Sequence, residues 1–125
     1  MKRDIESEED IKLLVDTFYE SVNKDTLLGP VFNDFAKIDW SSHLPVMYDF
    51  WSTVLLGSMS YKGQPFPKHM KLPIQSLHFN RWLELFTNTI DILFIGEKAT
   101  EAKQKALNIA RIFKLKMGIL ENISS

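Results

Sequence analysis

Cysteine is absent from the 125-residue sequence, which excludes disulfide bonds, thiolate metal sites and thiol redox chemistry. The five glycines are scattered, and none belongs to a glycine-rich loop of the kind that binds phosphate. No apolar run approaches the ~20 residues of a membrane span, and the acidic N-terminus lacks the apolar core of a signal peptide. We therefore expect a soluble cytoplasmic protein.

An excess of positive charge is also absent. Lysine and arginine number 15 against 16 acidic residues, for a net charge of -1, so the sequence gives no sign of a nucleic-acid-binding surface. No serine stands in a glycine-rich elbow, and the three histidines lack the spacing of a zinc site. Nucleophilic catalysis and binding of a bare metal ion therefore have little support.

Aromatic residues are what the chain has in quantity, including nine Phe and three Trp. A chain of this length is expected to form a single domain, residues 1–125, with a substantial core. Its rings either pack against one another in that core or surround something flat. The ring-rich core is the simpler interpretation until a site is identified.

Apolar residues recur at helical spacing in four segments, and no strand alternation is visible. The predicted fold is all-α, with a first helix capped by Ser7 and two long irregular stretches, 24–39 and 57–75. Pro45 is expected near the first turn of its helix or at a kink. The other three helices are predicted at about Trp40–Leu56, Ser76–Phe94 and Glu97–Met117.

One histidine lies in a segment that prolines restrict, PKHMKLP, residues 67–73. Pro67 suits the first position of a helical turn, and the residue before Pro73 is disfavoured in helical geometry. His69 would then project from one stiff turn, as suits an axial metal ligand. A lone histidine is more often a packed or surface residue, so the spacing is suggestive only.

Three other polar rings have two interpretations each. His43 stands at the start of an apolar helix face, where it either faces water or gates an apolar cavity. Tyr19 is either an ordinary core tyrosine or a hydrogen-bond donor to a ligand, since a buried hydroxyl needs a partner. His78 is interpreted as structural or as lying at the edge of a pocket.

Taken in order, four segments resemble the group III truncated haemoglobins: FYESVNKDTLLGPVFN (18–33), HLPVMYDFWSTVLLGSMSYKGQP (43–65), KHMKLP (68–73) and HFNRWLELF (78–86). The resemblance covers nearly the whole chain and weakens in the last helix. It implies a shortened globin, a two-over-two helical sandwich around haem b.

The resemblance also implies roles for particular residues. His69 matches the proximal ligand of the haem iron, and Tyr19 matches the distal tyrosine that donates a hydrogen bond to the bound ligand. Trp82 matches a tryptophan whose indole N–H reaches the same ligand, and His43 falls at the position of a distal histidine gate. Tyr61 and Lys68 are candidates for contacts with the haem propionates.

Apolar side chains would form the walls of this haem pocket. Met47 stands where a branched aliphatic residue is commoner, and we assign it a packing role. The predicted pocket residues are Phe18, Phe32, Met47, Phe50, Trp51, Phe86 and Phe113.

The function implied is binding of O2, NO or peroxide at a pentacoordinate haem iron. Donors close to iron stabilise bound dioxygen and assist O–O cleavage, so ligand chemistry, detoxification or sensing is favoured over bulk transport. NO dioxygenase and peroxidase-like activity both stay open. An unknown reductase and a monomer or weak dimer are expected, without nucleic-acid or membrane partners. The alternatives are a non-haem helical protein that binds an apolar small molecule and one that binds a protein partner.

Overall fold

A computed structural model describes residues 2–35, 37–57 and 75–116. These residues form an all-α fold, which confirms the predicted class, and the bounds of the four long helices agree with the prediction to within about two residues. The helices are α1 (Glu8–Lys24), α2 (Leu28–Pro30), α3 (Trp40–Leu56), α4 (Ser76–Leu93) and α5 (Glu97–Lys116).

A reciprocal cap starts α1. The Ser7 hydroxyl accepts a hydrogen bond from the backbone N–H of Asp10, and the Asp10 carboxylate accepts one from the N–H of Ser7. Asp10 is buried, and Arg3 forms an ion pair with it. Burial opposes ionisation of this carboxyl, but the hydrogen bonds from Arg3, Glu6 and Ser7 outweigh it and lower the pKa. These bonds fix the N-terminal segment that precedes α1 to the start of that helix.

Residues 24–39 are less irregular than predicted, because α2 and a wide π-helical turn, Val31–Phe35, occupy the middle of the segment. Gly29 allows this path: a Cβ atom there would lie 2.9 Å from the backbone oxygen of Asn23. Pro30 does not break the short helix, because it stands in the first turn, where backbone N–H groups have no partner inside the helix.

Helix α3 begins at a side-chain cap and ends at a glycine. The Asp39 carboxylate accepts hydrogen bonds from the backbone N–H of Ser41 and the hydroxyl of Ser42. Pro45 lies inside the helix, five residues after its start, and α3 continues to Leu56. Gly57 follows with a φ angle of 75°, a left-handed conformation that glycine adopts without strain.

A tight connection joins α4 to α5 and is held by the N-terminal segment. Asp4 accepts hydrogen bonds from the backbone N–H groups of Lys98 and Ala99, both at 2.9 Å, and so caps α5 from 94 residues away. Gly96 has a φ angle of 139°, and a Cβ atom there would lie 2.5 Å from the Asp4 side chain. Only glycine therefore fits between the two helices and their cap.

The long helices pack as two layers, α1 with α3 and α4 with α5, and α1 also contacts α4. Their buried faces form one hydrophobic core that includes Phe18, Trp51, Phe86 and Ile90. Of the helices described, none combines the length and apolar character needed to cross a membrane. The two layers leave a cavity between them, at the end where α2 meets α4.

Candidate functional site

An aromatic cavity lies between the helices and encloses about 780 Å³ of empty space, part of it open to solvent. All five described helices and the π-helical turn contribute to the walls. The lining residues are Tyr19, Leu28, Val31, Phe32, Met47, Phe50, Trp51, His78, Phe79, Trp82, Ile109, Ala110 and Phe113.

Tyr19 reaches the cavity from the middle of α1. Only 7% of this residue is exposed, and burial raises the pKa of its hydroxyl well above the ordinary value. The hydroxyl is therefore neutral at any physiological pH. No group within the described ranges makes a hydrogen bond with it, so the hydroxyl of this cavity-lining residue is available to a bound ligand.

Trp82 faces the same cavity from α4. Its ring stacks on Phe86 with a centroid distance of 5.6 Å and an interplanar angle of 3°, and Phe86 stacks in turn on Trp51 at 4.8 Å. Phe18 meets Trp82 edge to face at 5.7 Å. We call Phe18, Trp51, Trp82 and Phe86 the aromatic stack. It fixes the orientation of the Trp82 indole, whose N–H has no hydrogen-bond acceptor in the part of the chain that the structure describes.

His43 stands behind Tyr19 and is not part of the cavity lining. Its ring meets the Tyr19 ring edge to face at 5.4 Å, and its Nε2 atom is buried. Tyr19, Trp82 and His43, which are distant in the chain, thus lie in one region of the fold.

The predicted pocket residues fall into two layers. Phe32, Met47, Phe50, Trp51 and Phe113 line the cavity. Phe18 and Phe86 are completely buried one layer deeper, where they support Trp82 and Trp51.

Several lining residues were not predicted as such. Phe79 and Ile109 follow the helical spacing of apolar residues in the third and fourth predicted helices. This periodicity indicates a buried face but cannot separate core from cavity. Leu28, Val31 and Ala110 gave no signal in the sequence. His78 was predicted as structural or at a pocket edge; it lines the cavity, and its Nδ1 accepts a hydrogen bond from the N–H of Gln75 at the start of α4.

His69, Tyr61 and Lys68 lie outside the described residues. In the described part of the chain, no three His, Asp or Glu side chains come together to hold a bare metal ion.

An ion pair that sequence reasoning missed joins the connection between α1 and α2 to α4. The Asp25 side chain is only 6% exposed. It accepts hydrogen bonds from the N–H groups of Leu27 and Leu28 and, at 2.7 Å, from Nε of Arg81. Burial opposes its ionisation, but the hydrogen bonds from Leu28 and Arg81 outweigh this effect and lower the pKa of Asp25. The ion pair thereby links the cavity-lining segment that contains Leu28 and Val31 to α4, next to Trp82.

The cavity fits a haem group by its chemistry. Haem is a large apolar disc that needs apolar walls and few polar groups at its open face. Leu28, Val31 and the aromatic side chains supply such walls. The Tyr19 hydroxyl and the Trp82 indole supply two donors that the described residues leave without acceptors.

Comparison with known proteins agrees with this geometry. A model of the family described as bacterial-like globin matches residues 4–116. A group 3 truncated haemoglobin of Campylobacter jejuni is 36% identical over 118 residues, which cover 91% of this chain and 93% of the relative. The crystal structure of a group III truncated haemoglobin from Campylobacter jejuni superimposes with a TM-score of 0.84 and covers 94% of this chain and 95% of that one, at 36% identity. The chain therefore belongs to the bacterial-like globin family and, within it, to the group III truncated haemoglobins.

Proposed function

We propose that the protein binds haem b in the cavity, with His69 as the axial ligand of the iron, and binds O2, NO or peroxide on the side of Tyr19 and Trp82. The observation that carries the proposal is the pair of donors, a hydroxyl and an indole N–H, that face an apolar cavity without acceptors in the described ranges. Membership of a globin family supports the choice of cofactor.

Haem, when bound, supplies an iron with an open coordination position for a small ligand. Tyr19 holds its proton at all physiological pH values because burial raises its pKa, so it acts as a donor and not as a base. Trp82 can act only as a donor. Apolar neighbours such as Phe32 and Phe50 limit the access of water, and in such surroundings both hydrogen bonds are stronger than in water.

Two donors at one ligand position favour chemistry over transport. They stabilise negative charge on a bound ligand and slow its release, whereas a transport protein must release its ligand readily. We therefore favour turnover of NO or peroxide, detoxification or sensing. Turnover would need a reductase, and we expect the protein to act in the cytoplasm.

A second candidate function uses the same cavity without iron. Its apolar walls would also accept a small apolar molecule, with Tyr19 as the polar contact that orients it. This protein would be a carrier, and its binding would not depend on His69. Substitution of His69 therefore distinguishes an apolar carrier from a haem protein.

The test is a titration of the haem-free protein with haemin, followed by absorbance in the Soret region before and after reduction. The chain has three histidines, so His69→Ala is compared with His43→Ala and His78→Ala. We expect only His69→Ala to lose the five-coordinate ferrous spectrum. Absence of a Soret band in the unmodified protein would refute haem binding, and a normal spectrum in His69→Ala would refute the ligand assignment.

A further inference from the structure

Trp40, the first residue of α3, completes a group of three rings with Tyr19 and His43. The ring centroids lie 5.2 Å apart for Tyr19–Trp40, 5.4 Å for Tyr19–His43 and 5.5 Å for Trp40–His43. The His43 ring meets both of the others at 80°. We call these residues the ring triangle; each ring contacts the other two, so each limits the rotation of the others.

Within the ring triangle, Trp40 is hydrogen-bonded to another segment of the chain. Its indole N–H donates a hydrogen bond of 2.9 Å to Oδ1 of Asn33. The Asn33 amide nitrogen donates in turn to Oδ1 of Asn23 at 2.8 Å and to the backbone oxygen of Gly29 at 3.0 Å. One asparagine therefore joins the end of α1, α2, the π-helical turn and the start of α3.

The triangle lies between the cavity and solvent. Tyr19 lines the cavity, whereas Trp40 is half-buried and Asn33 is exposed. The Phe32 ring, which also lines the cavity, packs on Trp40 at 6.0 Å. A small molecule that enters the cavity on this side would therefore meet rings that Trp40 contacts.

We propose that Trp40, held by Asn33, is a positioning residue that fixes the rings of Tyr19 and His43 and thereby limits the rate at which ligands enter the cavity. The inference rests on the proposed function, because it concerns ligands of a haem bound there. It assigns no contact between Trp40 and the ligand: Trp40 acts through the two rings beside it. A barrier to passage slows entry and escape alike, so release of bound ligand should change by the same factor as association, and the affinity should change little.

The test compares Trp40→Phe and Asn33→Ala with the unmodified protein, and Asn88→Ala, an exposed asparagine of α4, serves as the matched control. Carbon monoxide association and dissociation are measured on the ferrous haem-loaded proteins. We expect both test variants to bind carbon monoxide about two- to tenfold faster, the factor that one hydrogen bond of ordinary strength gives in an equilibrium. Dissociation should rise by the same factor, so that the equilibrium affinity stays within about twofold, because no ligand contact is lost.

A second measurement does not need haem. NMR spectra of the haem-free proteins report the ring signals of Tyr19 and His43, which should shift in Trp40→Phe and Asn33→Ala and stay unchanged in Asn88→Ala. If the protein binds no haem, the proposed function fails, and these shifts still test the positioning. Unchanged ring signals would overturn the inference, as would shifted signals with unchanged association rates.

Discussion

The aromatic stack and the ring triangle support the same cavity by different means. Phe18 and Phe86 of the stack are completely buried, and the stack is held by ring-on-ring contact. Trp40 of the triangle is half-buried and depends on a chain of hydrogen bonds through exposed Asn33. The stack occupies the middle of three long helices, whereas the triangle joins α1 to the start of α3.

This difference assigns separate tasks to the two regions. Burial of large aromatic rings contributes strongly to stability. The ring contacts of the stack also hold Trp82 in one orientation. Hydrogen bonds at the surface contribute less and exchange with water, so the triangle can open without unfolding the core. We expect substitutions in the stack to act on stability and those in the triangle to act on ligand kinetics.

The largest effect is expected from Phe86→Ala. Phe86 is 0% exposed and contacts Phe18, Trp51 and Trp82, so its truncation should lower the free energy of unfolding by about 3–5 kcal/mol. Urea denaturation of the haem-free protein measures this loss. The control is Ile92→Ala on the same helix, where the side chain is 68% exposed and a change within about 0.5 kcal/mol is expected. Equal losses would contradict the role of the stack.

A smaller, pH-dependent loss of stability is expected from Asp25→Asn, which removes the charged acceptor of the hydrogen bonds from Leu27, Leu28 and Arg81. Hydrogen bonds to a charged group contribute about 1.5–3 kcal/mol, and the variant should lose about this amount at pH 7. The folded-state pKa of Asp25 is lowered. Its contribution is therefore present above the unfolded value of ~3.9 and is lost as the pH falls below it through the folded pKa.

The measurement for Asp25→Asn is the difference in unfolding free energy from the unmodified protein at pH 7 and at pH 3. Taking the difference removes the contributions of other carboxyls with lowered pKa, such as Asp4 and Asp10. The difference should shrink at pH 3. A difference that is the same at both pH values would show that the Asp25 carboxylate contributes no charge-dependent stability.

The smallest effects on stability are expected from two matched tyrosine variants. The Tyr48 hydroxyl donates a hydrogen bond to Asp16, so Tyr48→Phe should cost about 0.5–1.5 kcal/mol. Burial and the hydrogen bond to Asp16 raise the pKa of Tyr48 to about 12. The stability that Tyr48 contributes is therefore present below its unfolded value of ~10 and is lost as the pH rises toward 12.

Tyr19→Phe should behave differently from Tyr48→Phe. No described residue accepts a hydrogen bond from the Tyr19 hydroxyl. Removal of this hydroxyl should therefore leave the unfolding free energy unchanged within about 0.5 kcal/mol or raise it. Urea denaturation of both haem-free variants makes the comparison. A loss in Tyr19→Phe as large as that in Tyr48→Phe would show that the hydroxyl has a structural partner.

The helices were predictable because their signals are local. Periodic apolar residues and the Ser7 cap predicted the start of α1 and the bounds of α3 correctly. The short helix α2 and the turn after it were missed, because Gly29–Pro30 is typical of a helix break. What allows a helix there is the close approach of Gly29 to Asn23, a tertiary contact.

The site was predictable only in part. Family resemblance singled out Tyr19 and Trp82, and the structure brings both to one cavity. The ion pair between Asp25 and Arg81 could not be predicted, because the two residues are 56 positions apart in the sequence and no local pattern pairs them. Periodicity also could not separate Phe86, which is buried in the core, from Phe79, which lines the cavity.

Oxygen dissociation from the ferrous haem-loaded protein tests the central claim most directly, that Tyr19 and Trp82 donate to one ligand. The measurement compares the unmodified protein, Tyr19→Phe, Trp82→Phe and the double variant. Each single variant should release oxygen about 10- to 100-fold faster, the factor expected for one hydrogen bond to a charged group, and the double variant faster still. Dissociation at the unmodified rate in both single variants would contradict the account.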